Sequence, residues 1–187
     1  IRTRRRAPRE DVISHLIAEG YTNADILVEC VTYGTAGMVT TREFIGMAAW
    51  HLLGHPELRN RYLAAQQPVR LAILNEIIRL EPVVGHLYRR VQQPFSFADD
   101  EGRTHTAEPG DLVDLCVRAA NVDPRTVGSE PLDLCPVRDL PHGVDEAVLS
   151  FGHGSHRCPG QPLAILESDA LLHRLLARDV TIAAEPA

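Results

Sequence analysis

The stretch Phe151-Gly-His-Gly-Ser-His-Arg-Cys158-Pro-Gly160 gathers the residues of this chain best suited to chemistry. Gly152 and Gly154 permit backbone turns that other residues resist. Cys158 stands where the loop is expected to enter a helix, and free N–H groups with the positive end of a helix dipole favour a sulfur anion there. His156 and Arg157 beside it add positive potential. A thiolate held in this way is a soft ligand suited to iron. The other cysteines, Cys30, Cys116 and Cys135, form no C-x-x-C pair with it or with each other. Zinc and iron–sulfur sites need several such ligands, so both are disfavoured. One thiolate per site points to haem with an axial cysteine. Taken alone, the loop also fits a plainer reading, a glycine-rich turn around a structural cysteine.

Three further spacings matter. Glu76-Ile-Ile-Arg79 places an acid and a base three residues apart, one turn of helix, where such pairs commonly form surface salt bridges. It precedes Pro82-Val-Val and Arg89. Ala36-Gly37-Met-Val-Thr40-Thr41 puts two small residues and a hydroxyl inside a long apolar segment. Small residues in mid-helix leave room for a bulky planar ligand and weaken the local ladder enough to admit oxygen or water. A mid-helix threonine by default bonds back to its own backbone. Ala120-Asn121-Val-Asp123-Pro124 opens a region rich in Pro, Asp and Gly.

Together these strings resemble the cytochrome P450 family. The cysteine loop is similar to F-G-x-G-x-H-x-C-x-G at every fixed position, and the other motifs follow in the family's order. The resemblance implies that Cys158 is the axial ligand of haem b and that Phe151 lies against the haem near the sulfur. Gly152, Gly154 and Gly160 would shape the loop. Arg89 and His156 match residues that meet the haem propionates, which need cationic or hydrogen-bonding partners. Glu76 and Arg79 match the structural pair that locks onto an irregular meander, with Arg138 as the meander arginine. Ala36, Gly37 and Thr40 match the oxygen-binding groove of the family's I helix, Thr40 being the alcohol that serves bound oxygen. Two positions depart from the pattern. Val39 replaces the acid that relays protons, and Val122 replaces an arginine.

The elements that must position these residues are mainly helical. Residues 9–19 read as a short amphipathic helix stopped by Gly20. Thr22-Asn-Ala-Asp25 resembles a capping box opening a long helix from about 23 to 53. Its apolar residues, including Ile26, Leu27, Val31 and Met38, lie on more than one side, as in a helix running through a core. Further helices are expected from Pro56 to about Ala65, from about Pro68 to Leu80, and from near Gly160 to near Arg178. Runs at 87–91, 95–97 and 112–117 read as β-hairpins divided by Asp99-Asp100-Glu101-Gly102 and Pro109-Gly110. Residues 119–150 read as mostly irregular. The fold class is therefore mainly α with small β hairpins. By resemblance, residues 1–187 form a single partial domain, the C-terminal half of the P450 fold from helix H to helix L, with the meander and the cysteine loop. Such a half would leave an apolar helix face uncovered and be poorly soluble alone.

Composition narrows the partners. The 187 residues carry 19 basic and 25 acidic side chains, a net charge of -6. That balance argues against nucleic acid. Every basic residue is Arg, a coding bias to which we assign no function. No apolar run reaches the ~18–20 residues of a membrane span, and no signal peptide is visible, so a cytoplasmic location is expected. The resemblance implies a monooxygenase that inserts one oxygen atom of dioxygen into a small organic substrate. Electrons would come from a ferredoxin- or flavodoxin-type donor docking near His153 and Arg157. With Val39 in the acid's place, two alternatives remain: peroxide-driven or oxidative-coupling chemistry, and a haem-binding fragment without turnover.

Overall fold

A computed structural model describes residues 1–183. It divides into two compact units, Ile1–Glu43 and Phe44–Ala187.

In the first unit the arginine cluster forms a short helix, α1 (Arg2–Arg6). Arg4 pairs with Asp11, and Arg5 donates to the Asn23 side chain at 2.8 Å. Helix α2 (Val12–Ala18) starts later than its periodicity suggests. The reason is local: the Asp11 carboxylate accepts from the Ser14 N–H at 2.8 Å and fixes the N-terminus there. Helix α3 (Asn23–Gly54) opens on a reciprocal capping box. The Thr22 N–H donates to Asp25 at 3.1 Å, and the Asp25 N–H donates to the Thr22 hydroxyl at 3.2 Å. These bonds hold the Asp25 carboxyl below its ordinary value, the Thr22 hydroxyl first among the causes. Ile26 is fully buried. Leu27, Val28 and Met38 are 61%, 63% and 74% exposed, so the apolar surface read as core faces outward in this chain.

In the second unit α3 continues and supplies Phe44, Ala48 and Leu52 to one core. Ile73, Leu74, Ile77 and Ile78 from α5 (Gln67–Leu80) and Ile165, Leu172 and Leu176 from α8 (Gln161–Leu176) complete it. Helix α4 (Pro56–Ala64) adds Tyr62. Tyr62 also ends a buried polar cluster that ties the helices together. Its hydroxyl donates to Asp169 at 2.7 Å, and Arg70 grips the same carboxylate at 2.7 and 2.8 Å. Burial works to raise the Asp169 carboxyl, but the Arg70 and Tyr62 bonds outweigh it and leave it below 3.8. Burial pushes the Tyr62 phenol well above its ordinary value.

The strands correct the expected hairpins. β2 (Phe95–Ala98) pairs with β3 (Thr104–Ala107) around the acidic turn, and β3 is a strand the sequence reading missed. β1 (His86–Arg90) pairs antiparallel with β4 (Leu112–Cys116), not with its neighbour in sequence. Pro109-Gly110 therefore turns no hairpin of adjacent strands. The Gly110 N–H and Val91 C=O bond at 3.0 Å, extending the β1–β4 register instead. The stretch read as irregular holds two short helices, α6 (Val117–Asn121) and α7 (Pro124–Val127). Asp123 caps α7, and the side-chain bond from Arg125 pulls its carboxyl down to about 2. No helix among the described residues is long and apolar enough to cross a membrane.

Candidate haem-thiolate site

Cys158 stands half-buried, three residues before the first residue of α8. Its N–H donates to the Phe151 carbonyl at 2.7 Å, closing the loop on itself. A tight 3-10 turn, Gly154–His156, forms the tip. Gly152 and Gly154 have φ of +72° and +62°. A Cβ at Gly152 would lie 3.0 Å from the His156 carbonyl oxygen. Glycine is required there for conformation and for space together. Gly160 passes close to the sulfur: its Cβ would be 3.8 Å from Sγ. Phe151 is half-buried against the helical core, so the loop is anchored by its aromatic end.

The surroundings differ from the sequence reading in one respect. Arg157 is no free cation. Its guanidinium donates to Asp145 at 2.6 Å and to Gln161 at 3.1 Å, and Gln161 donates to the same Asp145 at 2.9 Å. The positive potential expected beside Cys158 is thus largely spent on Asp145. His153 and His156 are exposed.

Behind the loop lies a buried polar network. Arg79 donates to Glu76 at 2.6 and 3.0 Å, to the Asn121 and Pro131 carbonyls at 2.9 and 2.8 Å, and to the Asp133 carbonyl at 3.1 Å. Glu76 also accepts the Cys135 N–H at 2.8 Å, and the Arg138 guanidinium lies 3.4 Å away. Arg138 itself donates to the Val127 and Asp133 carbonyls, both at 2.6 Å. The chain from 131 to 138 is therefore wrapped around one ion pair. The sequence reading noted Asn121 only as part of a motif. In the structure it is fully buried and donates to the Arg79 carbonyl at 2.9 Å and to Ser150 Oγ at 2.8 Å. It also accepts the Leu149 N–H at 2.9 Å. Ser150 in turn donates to the Ile78 carbonyl at 2.8 Å. Helix α5 and the root of the cysteine loop are joined through these two side chains. Val148, just before them, has φ of +52°. That is a strained value for a β-branched residue, and it is held in place by the flanking bonds.

Arg89 is exposed on β1, and its side chain donates only to the Tyr88 carbonyl, at 2.9 Å. Strand alternation puts Arg89 and Leu87 on one face and His86 and Tyr88 on the other. His86 bonds Asp114 at 2.9 Å on that second face. In the first unit, Ala36, Gly37 and Thr40 are all exposed. The Thr40 hydroxyl donates to the Ala36 carbonyl at 2.6 Å. Helix α3 runs without a break through this stretch, so the small residues do not open its ladder here.

The cysteine loop and Arg89 of the second unit fit a haem. Among the described residues no three His, Cys, Asp or Glu side chains converge as a metal site. The donor offered at this loop is one soft sulfur, which suits an ion that brings its other ligands in a macrocycle. Among the described residues, the Arg89 side chain donates to one acceptor, the Tyr88 carbonyl.

Fold and site together define a helical protein with a single-cysteine loop in front of a buried Glu–Arg lock. Residues 2–178 match the family model for cytochrome P450, and the chain belongs to that family. It is similar to cytochrome P450 105C1 of a Streptomyces species, 32% identical over 95% of this chain and 44% of that protein. The polyketide biosynthesis cytochrome P450 PksS of Bacillus subtilis is 30% identical over 100% of this chain and 45% of its own length. Among solved structures, CYP109Q5 of Chondromyces apiculatus superposes with a TM-score of 0.76 at 32% identity, over 95% of this chain and 44% of that one. The chain thus spans less than half the length of the relatives it matches.

Proposed function

We propose that this chain is the C-terminal, haem-binding half of a haem-thiolate monooxygenase. It would act on a small organic substrate and take electrons from a ferredoxin- or flavodoxin-type protein. The observation that carries the reading is Cys158, a lone half-buried sulfur in a loop locked by its own N–H to Phe151 within a member of this family. The group held is haem b; when bound, it supplies activation of dioxygen and transfer of one oxygen atom to the substrate.

This chain's residues have separable tasks. Cys158 gives the axial sulfur. Gly152 and Gly154 make the turns of the loop at positive φ, and Gly160 passes beside the sulfur. Phe151 ties the loop to the core. Arg89 and His156 offer donors to the propionates. Glu76, Arg79, Arg138 and Asn121 hold the loop's base and touch no reactant. Thr40, with Ala36 and Gly37, offers a hydroxyl beside two small residues on α3. Donor docking calls for less from Arg157 than the sequence suggests, since Asp145 occupies it. The relative named for polyketide biosynthesis supports an organic substrate in the general sense.

Val39 favours a second reading, in which peroxide replaces dioxygen and the reductase. Turnover supported by peroxide alone, with none from a reductase system, would select it.

The test is an absorbance spectrum of the haem-loaded protein, reduced and exposed to carbon monoxide. A strongly red-shifted Soret band, lost in Cys158→Ser, is expected. A band at the histidine-ligated position, or one unaffected by C158S, would overturn the assignment.

A further inference from the structure

Arg157 directly precedes Cys158 and is the one permanently charged side chain between Phe151 and Gly160. A bare cation beside a sulfur anion draws back the electron density that the sulfur offers a metal. It therefore favours the reduced state of that metal. The second unit does not leave this cation bare.

Arg157 Nη2 donates to Asp145 Oδ2 at 2.6 Å and to Gln161 Oε1 at 3.1 Å, and Gln161 Nε2 donates to Asp145 Oδ1 at 2.9 Å. The three side chains close a triangle. Its Arg157–Gln161 edge bridges Cys158, Pro159 and Gly160, so the segment carrying the sulfur is tied at both ends to one carboxylate. That carboxylate is itself held. The Ala147 N–H donates to Asp145 Oδ1 at 2.9 Å, and the Val148 N–H donates to the Asp145 carbonyl, also at 2.9 Å.

The neighbouring acid, Glu146, is engaged elsewhere, accepting from Asn75 at 2.8 Å. Among the described residues, Asp145 is the carboxylate that Arg157 meets. Gln161 is buried. The Arg157 side chain is 55% exposed against 25% for Asp145, so solvent screens the pair only in part.

We propose that Asp145 is a positioning residue for Cys158, fixing the segment that carries the sulfur through Arg157 and Gln161 and cancelling the cation beside it. This rests on the haem-thiolate reading. Asp145 touches no reactant. Its effect is to preserve the electron donation of the sulfur and to make the bound iron harder to reduce.

The experiment uses the haem-loaded, full-length protein and its D145N, D145E, R157Q and D145N/R157Q variants. Reduction potentials are measured by spectroelectrochemistry at low and high salt, with the carbon monoxide spectrum recorded alongside. D145N leaves Arg157 uncompensated. It should move the one-electron equilibrium toward the reduced state by roughly tenfold, about 59 mV. R157Q leaves the Asp145 carboxylate uncompensated and should move the equilibrium the other way. The double variant carries neither charge and should return to within about twofold of native. D145E keeps the charge and should stay near native. Both single shifts should shrink at high salt. A role in packing alone would give no opposite signs and no recovery in the double variant. Native potentials in D145N and R157Q, or shifts of the same sign, overturn the inference and leave the monooxygenase reading intact. Should D145N take up no haem, R157Q decides: an unchanged potential there overturns the inference. A native protein without the thiolate-type carbon monoxide spectrum overturns both.

Discussion

Arg79 is buried to 0% exposure and donates five hydrogen bonds, two to Glu76 and three to backbone carbonyls. Removing one partner of such a pair leaves an uncompensated charge inside the protein, which costs about 3–5 kcal/mol. Domains are stable by about 5–15 kcal/mol. Arg79→Ala should therefore lower the denaturation midpoint by about a fifth or more and abolish haem uptake, read by urea titration and Soret absorbance. Arg89→Ala should leave the midpoint near native, because Arg89 is exposed and bonds one neighbouring carbonyl. A second residue sets a pH dependence. Burial holds the His51 imidazole below its ordinary 6.5, against the pull of Glu81 and with help from His55, and among the described residues its Nε2 has no hydrogen-bond partner. The unfolded chain therefore takes up a proton at this residue before the folded one does. Stability contributed here is present above 6.5 and is lost as the pH falls below it. His51→Phe should flatten that limb of the denaturation midpoint against pH.

The elements are held by devices of very different range. The capping box of α3 is contiguous in sequence and was legible as Thr22-Asn-Ala-Asp25. Thr22→Ala should cost about 0.5–2 kcal/mol and speed amide exchange in the first turn of α3, without touching the second unit's core. Helices α4, α5 and α8 were legible from Pro, Gly and apolar spacing to within a residue or two. The pairing of β1 with β4 was not. It joins strands separated by a whole hairpin, and no local turn signal encodes a partner so far along the chain. α6 and α7 were also missed. Each is only one turn long, too short for periodicity to register, and each is held by distant contacts such as Asn121 to Ser150.

For the chain as a whole, the outward apolar residues of the first unit are expected to govern its solubility. Leu27, Val28, Val31 and Met38 are exposed on a single helix, more apolar surface than a monomer tolerates well. Leu27→Glu with Met38→Glu should raise the soluble yield of the isolated chain and reduce binding of a hydrophobic dye. The denaturation midpoint should stay unchanged, since neither side chain is part of a core. Insolubility persisting in the double variant would place the aggregating surface elsewhere.

The string from Phe151 to Gly160, together with Glu76–Arg79, Ala36–Thr41 and Ala120–Pro124 in the same order, made the family legible from the residues alone, because loop chemistry over ten residues depends on neighbours in sequence. The capped long helix and the departure at Val39 were likewise plain from the residues alone. Tertiary structure alone decided that Asp145 occupies Arg157, that Asn121 and Ser150 join α5 to the root of the cysteine loop, and that β1 pairs with β4. Each of these depends on a hydrogen bond or a register between segments far apart in the chain, and residue spacing carries no information about which distant groups will meet once water is excluded.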